Sequence, residues 1–343
     1  MNVEAKRRRA VPKAPRQEGA DPAREAGAAR AAEGWREGCA AASFGAEGGL
    51  ILGERLPAGR FVRLEVPCFP MLPCNPSVAV GPGGELRCLV RAVNYELGEE
   101  DGIWFRGDPA PNTVNWIADI KADMTPGKMF RVEDGAHRAA RLPCRDGLED
   151  GRLFWFRGRW RFTASGLHHG PRVRTTMALC TLDEGGTRVE ELEFLQSPHG
   201  REMEKNWMPR AEEGRLSFVY THHPAESYTL WPTRGRLWLG SHQPLHGWSG
   251  GSQVIPHGGA WLGVVHQRRK ERNRVYYAHR LVRYDDNLEP THAGREFYFL
   301  GRQVEFCAGL AAHDGGHVLS FGVKDREAWL VRLTPAEIEA LLA

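Results

Sequence analysis

The sequence predicts an all-β protein, a five-bladed β-propeller with a disordered N-terminal tail and a short C-terminal helix. From about residue 50, short runs rich in Val, Leu, Phe, Tyr and Trp alternate with Gly, Pro, Asn and Asp, the pattern of strands joined by turns. Polar clusters precede the apolar hairpins five times, at intervals of roughly 45–75 residues, which indicates repeated four-stranded blades. At the C-terminus, "TPAEIEALLA" carries a helix start at Thr334, Pro335 and Glu337.

The N-terminal segment differs from the rest of the chain. "MNVEAKRRRAVPKAPRQEGADPAREAGAARAAEG" contains almost no large apolar side chain, so it cannot bury enough surface to offset its ordering entropy. We therefore predict a disordered tail over residues 1–45 and a propeller domain over 46–343. Arg7, Arg8 and Arg9 lack a following apolar core, so they are not a secretory signal. A targeting or anionic-surface role is open, but the composition favours a solvated tail.

Composition limits the function classes. The chain has 343 residues, 41% of them hydrophobic and 26% charged, and its formal net charge of +3 is too small to indicate nucleic acid. No apolar run reaches about 18 residues, so no membrane span is expected. The seven cysteines are scattered without a C-x-x-C pair. This pattern predicts buried free thiols in a reducing compartment, the cytoplasm, and no zinc site. The fourteen histidines lack helical metal-binding spacing, so we expect no metal and no cofactor.

The stretch "GLEDGRLFWFRGRWRFTASG" (147–166) combines two acids with an aromatic hairpin. An acid beside an aromatic floor is partly desolvated, which raises its pKa and keeps a proton for general acid catalysis. On this hypothesis Asp150 is the acid, Glu149 raises its pKa as a like charge, and Arg152 holds one carboxylate in a bidentate pair. The alternative is a structural ion pair between Glu149 and Arg152, with Asp150 as a turn residue.

The remaining clusters predict a shared pocket. The innermost strand of each propeller blade starts at the channel mouth, so polar residues at those starts converge in space. In such a pocket Lys205 would bind an anion or hold an acid. The alternative is that Lys205 lies in a surface turn without a functional role. Trp207 is a candidate stacking face for a sugar, with core packing as the alternative. His222 and His223 are candidates to face the channel, with polar surface as the alternative. The clusters are "CNPSV" (Asn75), "EKNWMP" (Lys205, Asn206), "GGSQVI" (Gln253) and "EFCAGLA" (Glu305).

These motifs, taken in order over roughly residues 60–333, resemble those of glycoside hydrolase family 130, the mannoside phosphorylases, and of related β-1,2-mannosyltransferases. The motifs are "NPSV", "R-x-V-N-Y" (Arg91, Asn94, Tyr95), "G-x-E-D-x-R", "E-K-N-W-x-P", "G-G-x-Q" and "E-F-x-x-G-L…S-F-G-V-x-D".

The resemblance implies a five-bladed propeller with an inverting, single-displacement mechanism. Asp150 matches the proton donor, and Lys205 matches a lysine near phosphate. One departure is Gly151, which stands where the family has Pro and loosens the turn after Asp150. The substrate-binding candidates, from the resemblance and the clusters together, are Asn75, Ser77, Arg91, Glu149, Lys205, Asn206, Gln253 and Asp325.

We therefore expect a carbohydrate-active enzyme acting on β-linked, mannose-like sugars without a metal. Phosphate, water and an activated donor such as a sugar nucleotide remain open as co-substrates, because the other phosphate-binding cations cannot be assigned among Arg172, Arg174, His222, His223 and His242. The alternatives are a non-catalytic glycan-binding propeller that supports polysaccharide synthesis and a protein-interaction propeller. The sequence leaves the oligomeric state open.

Overall fold

The computed structural model describes residues 49–97, 103–107, 110–140, 146–169, 173–239, 245–272 and 274–343. The predicted tail, residues 1–45, lies outside the described residues, as do Arg172 and His242. Over the described residues the chain is mostly strand, as predicted, with two α-helices and two single 3₁₀ turns, Leu52–Glu54 and Ala58–Arg60.

The strands form five large sheets and one small ribbon. Two strands come first, β1 (Leu50–Ile51) and β2 (Phe61–Arg63). Sheet I contains β3 (Leu72–Val80), β4 (Leu86–Val93), β7 (Thr113–Ile120) and β8 (Phe130–Arg131), and the ribbon contains β5 (Tyr95–Leu97) and β6 (Ile103–Phe105). Sheet II contains β9 (Leu148–Phe156), β10 (Arg159–His169), β11 (Val173–Leu182) and β12 (Val189–Phe194). Sheet III contains β13 (Met208–Glu212), β14 (Arg215–His222), β15 (Ala225–Trp231) and β16 (Gly235–Trp238).

The last two sheets use strands from both ends of the described chain. Sheet IV contains β17 (Ser249–Gly250), β18 (Ile255–His257), β19 (Ala260–Glu271), β20 (Arg274–Tyr284), β21 (Pro290–Ala293), β22 (Phe297–Tyr298) and β1. Sheet V contains β23 (Glu305–His313), β24 (Gly316–Val323), β25 (Glu327–Leu333) and β2. Because β2 precedes sheet I in sequence but forms the outer edge of sheet V, the first strands close the ring onto the last sheet.

Neighbouring sheets share apolar cores in a cyclic order. Side chains of sheets I and II meet around Leu89 and Phe162, and those of sheets II and III around Phe154 and Phe218. Sheets III and IV share a core, sheets IV and V share another, and sheets V and I meet around Val78. Each such side chain contributes about 1.5–3 kcal/mol by leaving water. The result is a propeller-like ring whose axis is lined by β3, β9, β13 and β23.

The prediction of five four-stranded blades needs correction, because the structure has four four-stranded sheets and one sheet of seven strands. The axial strand of sheet IV is divided into β17 and β18, both paired with β19. The division occurs at Gly250 and Gly251. At these two positions a Cβ atom would lie 2.1 Å from the Asn206 carbonyl and 2.5 Å from the Val264 carbonyl, so the close approach requires glycine. The outer edge is likewise divided into β21 and β22, and β1 pairs with β22 in parallel.

The predicted C-terminal helix is confirmed. Two helices are present over the described residues, α1 (Gly135–Ala140) and α2 (Pro335–Leu342). The Thr334 hydroxyl accepts the Glu337 N–H, and the Glu337 carboxylate accepts the Thr334 N–H, which forms a capping box. Ile338, Leu341 and Leu342 pack into the core shared by sheets IV and V. In the part of the chain that the structure describes, no helix is long and apolar enough to cross a bilayer.

Five of the seven cysteines lie in described residues, and all five are buried free thiols, as the sequence predicted. They are Cys68, Cys74, Cys88, Cys180 and Cys307. Burial raises the pKa of the Cys307 thiol to about 12, so this side chain behaves as a small apolar group.

Candidate active site

Two β-bulges aim polar side chains at the axis of the ring. The pairing of β3 with β4 shifts between Cys74 and Ser77, and the pairing of β9 with β10 shifts opposite Glu149 and Arg152. Asn75 (φ 44°) and Asp150 (φ 51°) are the first residues of these bulges and adopt left-handed backbone, which Asn and Asp tolerate better than most residues. Asn206 (φ 63°) and Asp325 (φ 51°) share this conformation. Strained backbone of this kind clusters at functional sites.

Six predicted residues line one cavity of about 140 Å³ at this end of the axis. They come from sheets I, II and V and from the segment that leads into sheet III. They are Asn75, Arg91, Asp150, Lys205, Asn206 and Asp325. Three of the five polar clusters that the sequence analysis expected to converge, those containing Asn75, Asp150 and Lys205, therefore bring polar side chains to the cavity, whereas Gln253 and Glu305 do not line it.

Arg91 is the electrostatic centre of the site. Its Nη1 donates to Oδ1 of Asp150 (2.9 Å), and its Nη2 donates to Oε1 of Glu149 (2.6 Å) and to the Tyr95 hydroxyl (2.8 Å). Its Nε donates to the Thr113 hydroxyl at 3.0 Å. Arg91 is buried, so these charge-assisted bonds are poorly screened by solvent. The cation thus holds both neighbouring acids, and Glu149 does not itself line the cavity.

The predicted pairing of Arg152 with an acid is wrong. Its guanidinium is fully buried and donates to the backbone carbonyls of Gly251 (2.9 Å) and Asp150 (2.7 Å) and to the Asn206 amide oxygen (3.0 Å). It contacts neither carboxylate, so the alternative of an ion pair between Glu149 and Arg152 is wrong as well. Arg152 instead ties sheet II to the glycine break in sheet IV and fixes Asn206. Burial lowers the pKa of Arg152 to about 10, so it remains charged at neutral pH.

The three carboxyl groups differ in pKa. Burial alone would raise the pKa of Asp150, but Arg91, Arg152 and a 2.7 Å hydrogen bond from Asn75 outweigh burial and hold it below its ordinary value. The predicted raised pKa of Asp150 is therefore corrected. Burial raises the pKa of Glu149 despite Arg91, and burial and the Asp150 charge raise the pKa of Asp325. Among the described residues, Asn75 alone donates a hydrogen bond to Asp325, and it is long, at 3.5 Å.

Room for Asn75 between these acids depends on a glycine. A Cβ atom on Gly322, in the "SFGV" segment of β24, would lie 2.1 Å from Oδ1 of Asn75. The absence of a side chain at Gly322 thus allows the Asn75 amide to reach Asp150 and Asp325 together.

Two predicted sugar-binding residues lie below the cavity and join strands. The Ser77 hydroxyl is buried and accepts the Leu153 N–H at 3.0 Å. The Gln253 amide donates to the Val78 carbonyl and accepts the Leu310 N–H at 3.2 Å. Gln253 lines a separate apolar cavity of about 200 Å³ on the axis. Both side chains are committed to bonds between sheets, so their prediction as sugar ligands is corrected.

Other predicted contacts are also taken up by the protein. Trp207 is fully buried in the core of sheets II and III, where its indole N–H donates to Glu204 at 3.0 Å, so it offers no face to a sugar. His222 is buried and bonds to the Tyr284 hydroxyl at 2.8 Å instead of facing the channel. His223 packs against His246 with tilted rings, whose centroids are 4.3 Å apart. The Glu305 carboxylate accepts backbone N–H groups from the loop at Phe299–Gly301.

Four cavity residues were missed by the sequence analysis: His266, Tyr277, Val304 and Phe306. His266 stacks on Tyr277 (5.3 Å between centroids) and meets Phe306 edge-on (4.9 Å). Burial lowers the pKa of His266 well below its ordinary value, so the ring is neutral, and its Nδ1 has no hydrogen-bond partner among the described residues. His266 and Tyr277 lie in "VVHQ" and "VYYAH", which carry no polar cluster at a strand start, so nothing in the pattern indicated them, whereas Phe306 lies in the quoted "EFCAGLA" next to Glu305.

The cavity also contains an exposed cation. The Lys205 side chain is exposed to the cavity, and among the described residues no carboxylate lies within ion-pair distance of its ammonium. No cluster of metal-binding side chains occurs in the described part of the chain.

Comparison with solved structures identifies the fold. A β-1,2-mannobiose phosphorylase from Listeria innocua superposes with a TM-score of 0.55 at 16% identity, over 82% of this chain and 93% of that one. A glycosidase-like structure from Bacteroides thetaiotaomicron gives 0.56 at 14% identity, over 77% and 87%. A structure described with the glycoside hydrolase family 130 enzymes that target β-1,2-mannosidic linkages in Candida mannan gives 0.51 at 13%, over 78% and 85%.

The protein has the fold of these solved structures. No family model matches the chain. No curated protein is significantly similar to it in sequence. At identities of 16% or less, the likeness concerns the fold, and the chemistry of this chain has to be argued from its own residues.

Proposed function

We propose that the protein makes or breaks β-linked, mannose-like glycosidic bonds by an inverting single displacement, with Asp150 as the general acid or base. One observation carries this proposal. Oδ1 of Asp150 is fixed by Asn75 and Arg91, whereas Oδ2 accepts no hydrogen bond from the described residues and Asp150 lines the cavity. A carboxylate with one oxygen held and the other turned to substrate suits proton transfer at a sugar oxygen.

The protonation state favours the bond-forming direction. Because Arg91 keeps the pKa of Asp150 low, the group enters the reaction as a carboxylate and acts as a base. Asp150 takes the proton of an acceptor hydroxyl, the acceptor oxygen attacks the anomeric carbon, and the bond to the leaving group breaks with inversion. In the reverse direction the protonated Asp150 returns the proton to the glycosidic oxygen.

A phosphate leaving group fits the remaining charges. The Lys205 ammonium has no carboxylate partner among the described residues, so it is available to hold an anion at the cavity. We propose a mannosyl phosphate as donor in this direction and inorganic phosphate as co-substrate in the other. The likeness to a mannobiose phosphorylase supports this choice. Asp325 and Asn206 accept hydrogen bonds from sugar hydroxyls, and the aromatic group around Tyr277 packs against the apolar face of the ring.

We also propose that sheet IV is the fifth blade. Its axial strand β17–β18, its two long strands β19 and β20, and its outer edge β21–β22 correspond to the four strands of a blade, with β1 added outside. The shared cores on both sides of sheet IV support this assignment. The five buried free thiols support a reducing compartment such as the cytoplasm.

Phosphate release tests the proposal. The protein is incubated with mannosyl phosphate, with and without mannose as acceptor, and released phosphate is measured. We expect release that depends on the acceptor. Release of nucleotide from a sugar nucleotide in place of phosphate would assign the protein to glycosyl transfer. Mannoside binding without turnover on any donor would favour the non-catalytic glycan-binding alternative.

A further inference from the structure

The hairpin of β19 and β20 forms one wall of the cavity and continues beyond it. His266 on β19 and Tyr277 on β20 line the cavity. The two strands stay paired without a shift in register as far as Glu271 and Arg274 at the hairpin tip. The hairpin therefore extends past the cavity by several residues, in a regular ladder whose faces can be assigned by alternation.

Arg268 lies on the cavity-facing side of this hairpin. It is directly opposite Tyr277 in the ladder, and directly opposite residues of antiparallel strands point to the same face. Residues two apart along a strand also share a face, so Arg268 lies on the same side as His266, about 7 Å farther along β19. The stacking of His266 on Tyr277, with 5.3 Å between ring centroids, confirms that these two rings lie on one face.

Burial decreases along this face toward the hairpin tip. His266 is buried, Tyr277 is half-buried and Arg268 is exposed. The Arg268 charge nevertheless acts at the cavity. Burial and the charges of Asp325 and Asp150 raise the pKa of the Tyr277 hydroxyl, and the Arg268 charge opposes this rise. Arg268 thus lies at the opening, between the cavity wall and solvent.

Arg268 has no anionic partner among the described residues, since no carboxylate of theirs lies within ion-pair distance of its guanidinium. Its neighbour Arg269, on the opposite face, donates to both carboxylate oxygens of Glu296, at 2.8 Å and 2.5 Å. Arg326, next to the cavity residue Asp325, pairs with Glu96. The guanidinium of Arg268 is therefore available to a ligand at the opening.

The size of the cavity indicates which part of a substrate reaches Arg268. A volume of about 140 Å³ corresponds to about five water molecules of ~30 Å³ each, which is room for one pyranose ring. The mannosyl group that is transferred fills this space, so the acceptor sugar lies at the opening. A guanidinium binds phosphate and carboxylate groups through two parallel hydrogen bonds, and it binds neutral hydroxyls less strongly.

We propose that Arg268 binds an oxyanion on the acceptor, so that the acceptor is a sugar carrying a phosphate ester or a carboxylate. This inference rests on the proposed function, because it names the acceptor of the same reaction. A hydroxyl of the acceptor attacks the anomeric carbon, Asp150 takes its proton, and inorganic phosphate leaves from the donor. The anionic group of the acceptor is unchanged by the reaction. Arg268 determines acceptor preference and takes no part in proton transfer.

Acceptor kinetics test this inference. The protein is incubated with mannosyl phosphate and with mannose, mannose 6-phosphate or mannuronate, and released inorganic phosphate is measured against reactions without donor. We expect the KM of at least one anionic acceptor to be about tenfold lower than that of mannose, with an advantage that shrinks as ionic strength rises. The acceptor that gains distinguishes a phosphate from a carboxylate. Arg268→Gln should remove the advantage and leave the KM for mannose within about twofold, and Arg268→Lys should restore part of it.

Arg274→Gln is the matched control. Arg274 is exposed on the same hairpin, but it pairs with Glu271 and so lies on the face opposite Arg268. Equal KM values for the three acceptors, or an equal loss in Arg268→Gln and Arg274→Gln, would overturn the inference, and release with mannose would leave the proposed function intact. Absence of acceptor-dependent release with all three sugars would contradict the proposed function and this inference together. Unchanged melting temperatures establish that the variants retain the fold.

Discussion

Asn75 and Asp150 occupy the same position in successive sheets, and the side chain of one holds the other. Each is the first residue of a β-bulge in an axial strand, with φ of 44° and 51°, and the Asn75 amide donates to Oδ1 of Asp150 at 2.7 Å. The residues that follow them, Pro76 and Gly151, are equivalent as well. The proline that the family resemblance places after Asp150 is therefore present in the neighbouring sheet.

Asp325 is expected to cost the ligand-free protein stability at neutral pH. Its folded-state pKa is raised, so the folded state binds more protons than the unfolded state, and stability falls as pH rises from the ordinary pKa through the raised one. Asp325→Asn should therefore raise the melting temperature by about 2 °C or more at pH 8, with a smaller gain at pH 5. The control is Asp314→Asn, an exposed acid next to β24. An equal gain in both variants would contradict this explanation.

Arg91 is expected to set the pH at which Asp150 titrates. Arg91→Met removes the cation that lowers the Asp150 pKa, so the acidic limb of the pH–rate profile should move to higher pH. Removing one partner of a largely buried ion pair should also cost about 3 kcal/mol of unfolding free energy.

The same substitution at Arg87 provides the comparison. Arg87 lies on the same strand, and its partner Asp119 is exposed, so Arg87→Met should cost less than about 1 kcal/mol and leave the profile unchanged. Similar losses in the two variants, or an unshifted limb in Arg91→Met, would show that Arg91 does not control Asp150. In the wild type the Asp150 contribution to stability is present above its ordinary pKa and is lost as pH falls through the lowered one.

A substitution of Ser77 distinguishes a structural role of this residue from a role in sugar binding. Ser77→Ala leaves the buried Leu153 N–H without an acceptor, which should cost about 1–3 kcal/mol in denaturant unfolding. Mannoside affinity, measured by calorimetry below the melting temperature, should stay within about twofold. A tenfold loss of affinity with unchanged stability would restore Ser77 to the sugar-binding residues.

Lys205 is expected to act on the phosphate group alone. Lys205→Met should raise the KM for mannosyl phosphate about tenfold, and the difference should shrink as ionic strength rises. The melting temperature should not change, because the ammonium makes no ion pair with described residues. Lys270→Met, at an exposed position near the end of β19, serves as control. Equal effects of the two substitutions would exclude a phosphate site at Lys205.

The sequence pattern was sufficient for the strands and the terminal helix, because strand alternation and turn residues are local properties, and it was right about convergence for three of the five polar clusters. The pattern did not predict the partners of Arg91 and Arg152. The acids pair with Arg91 on the neighbouring strand β4, whereas Arg152, which is nearer to them in sequence, donates to backbone carbonyls. Distance along a chain does not show which neighbouring strand supplies a partner.

The sequence pattern also does not show how far a residue of an axial strand lies from the cavity. Ser77 lies two residues beyond Asn75, and the bulge between them places the hydroxyl against sheet II below the cavity. The sequence pattern did not indicate His266 and Tyr277 for a related reason. The axial strand of sheet IV is short at this end, so β19 and β20 supply the wall that an axial strand supplies elsewhere.

The most direct test of the central claim is phosphate release by Asp150→Asn, measured beside mannoside binding to the same variant. Because the amide keeps the shape of the carboxylate but cannot accept the proton, release should fall by at least about 100-fold while affinity stays within about threefold. Glu149→Gln, one residue away, controls for the loss of a negative charge next to Arg91. Release by Asp150→Asn within tenfold of the wild-type rate would contradict the assignment of Asp150 as the catalytic acid or base.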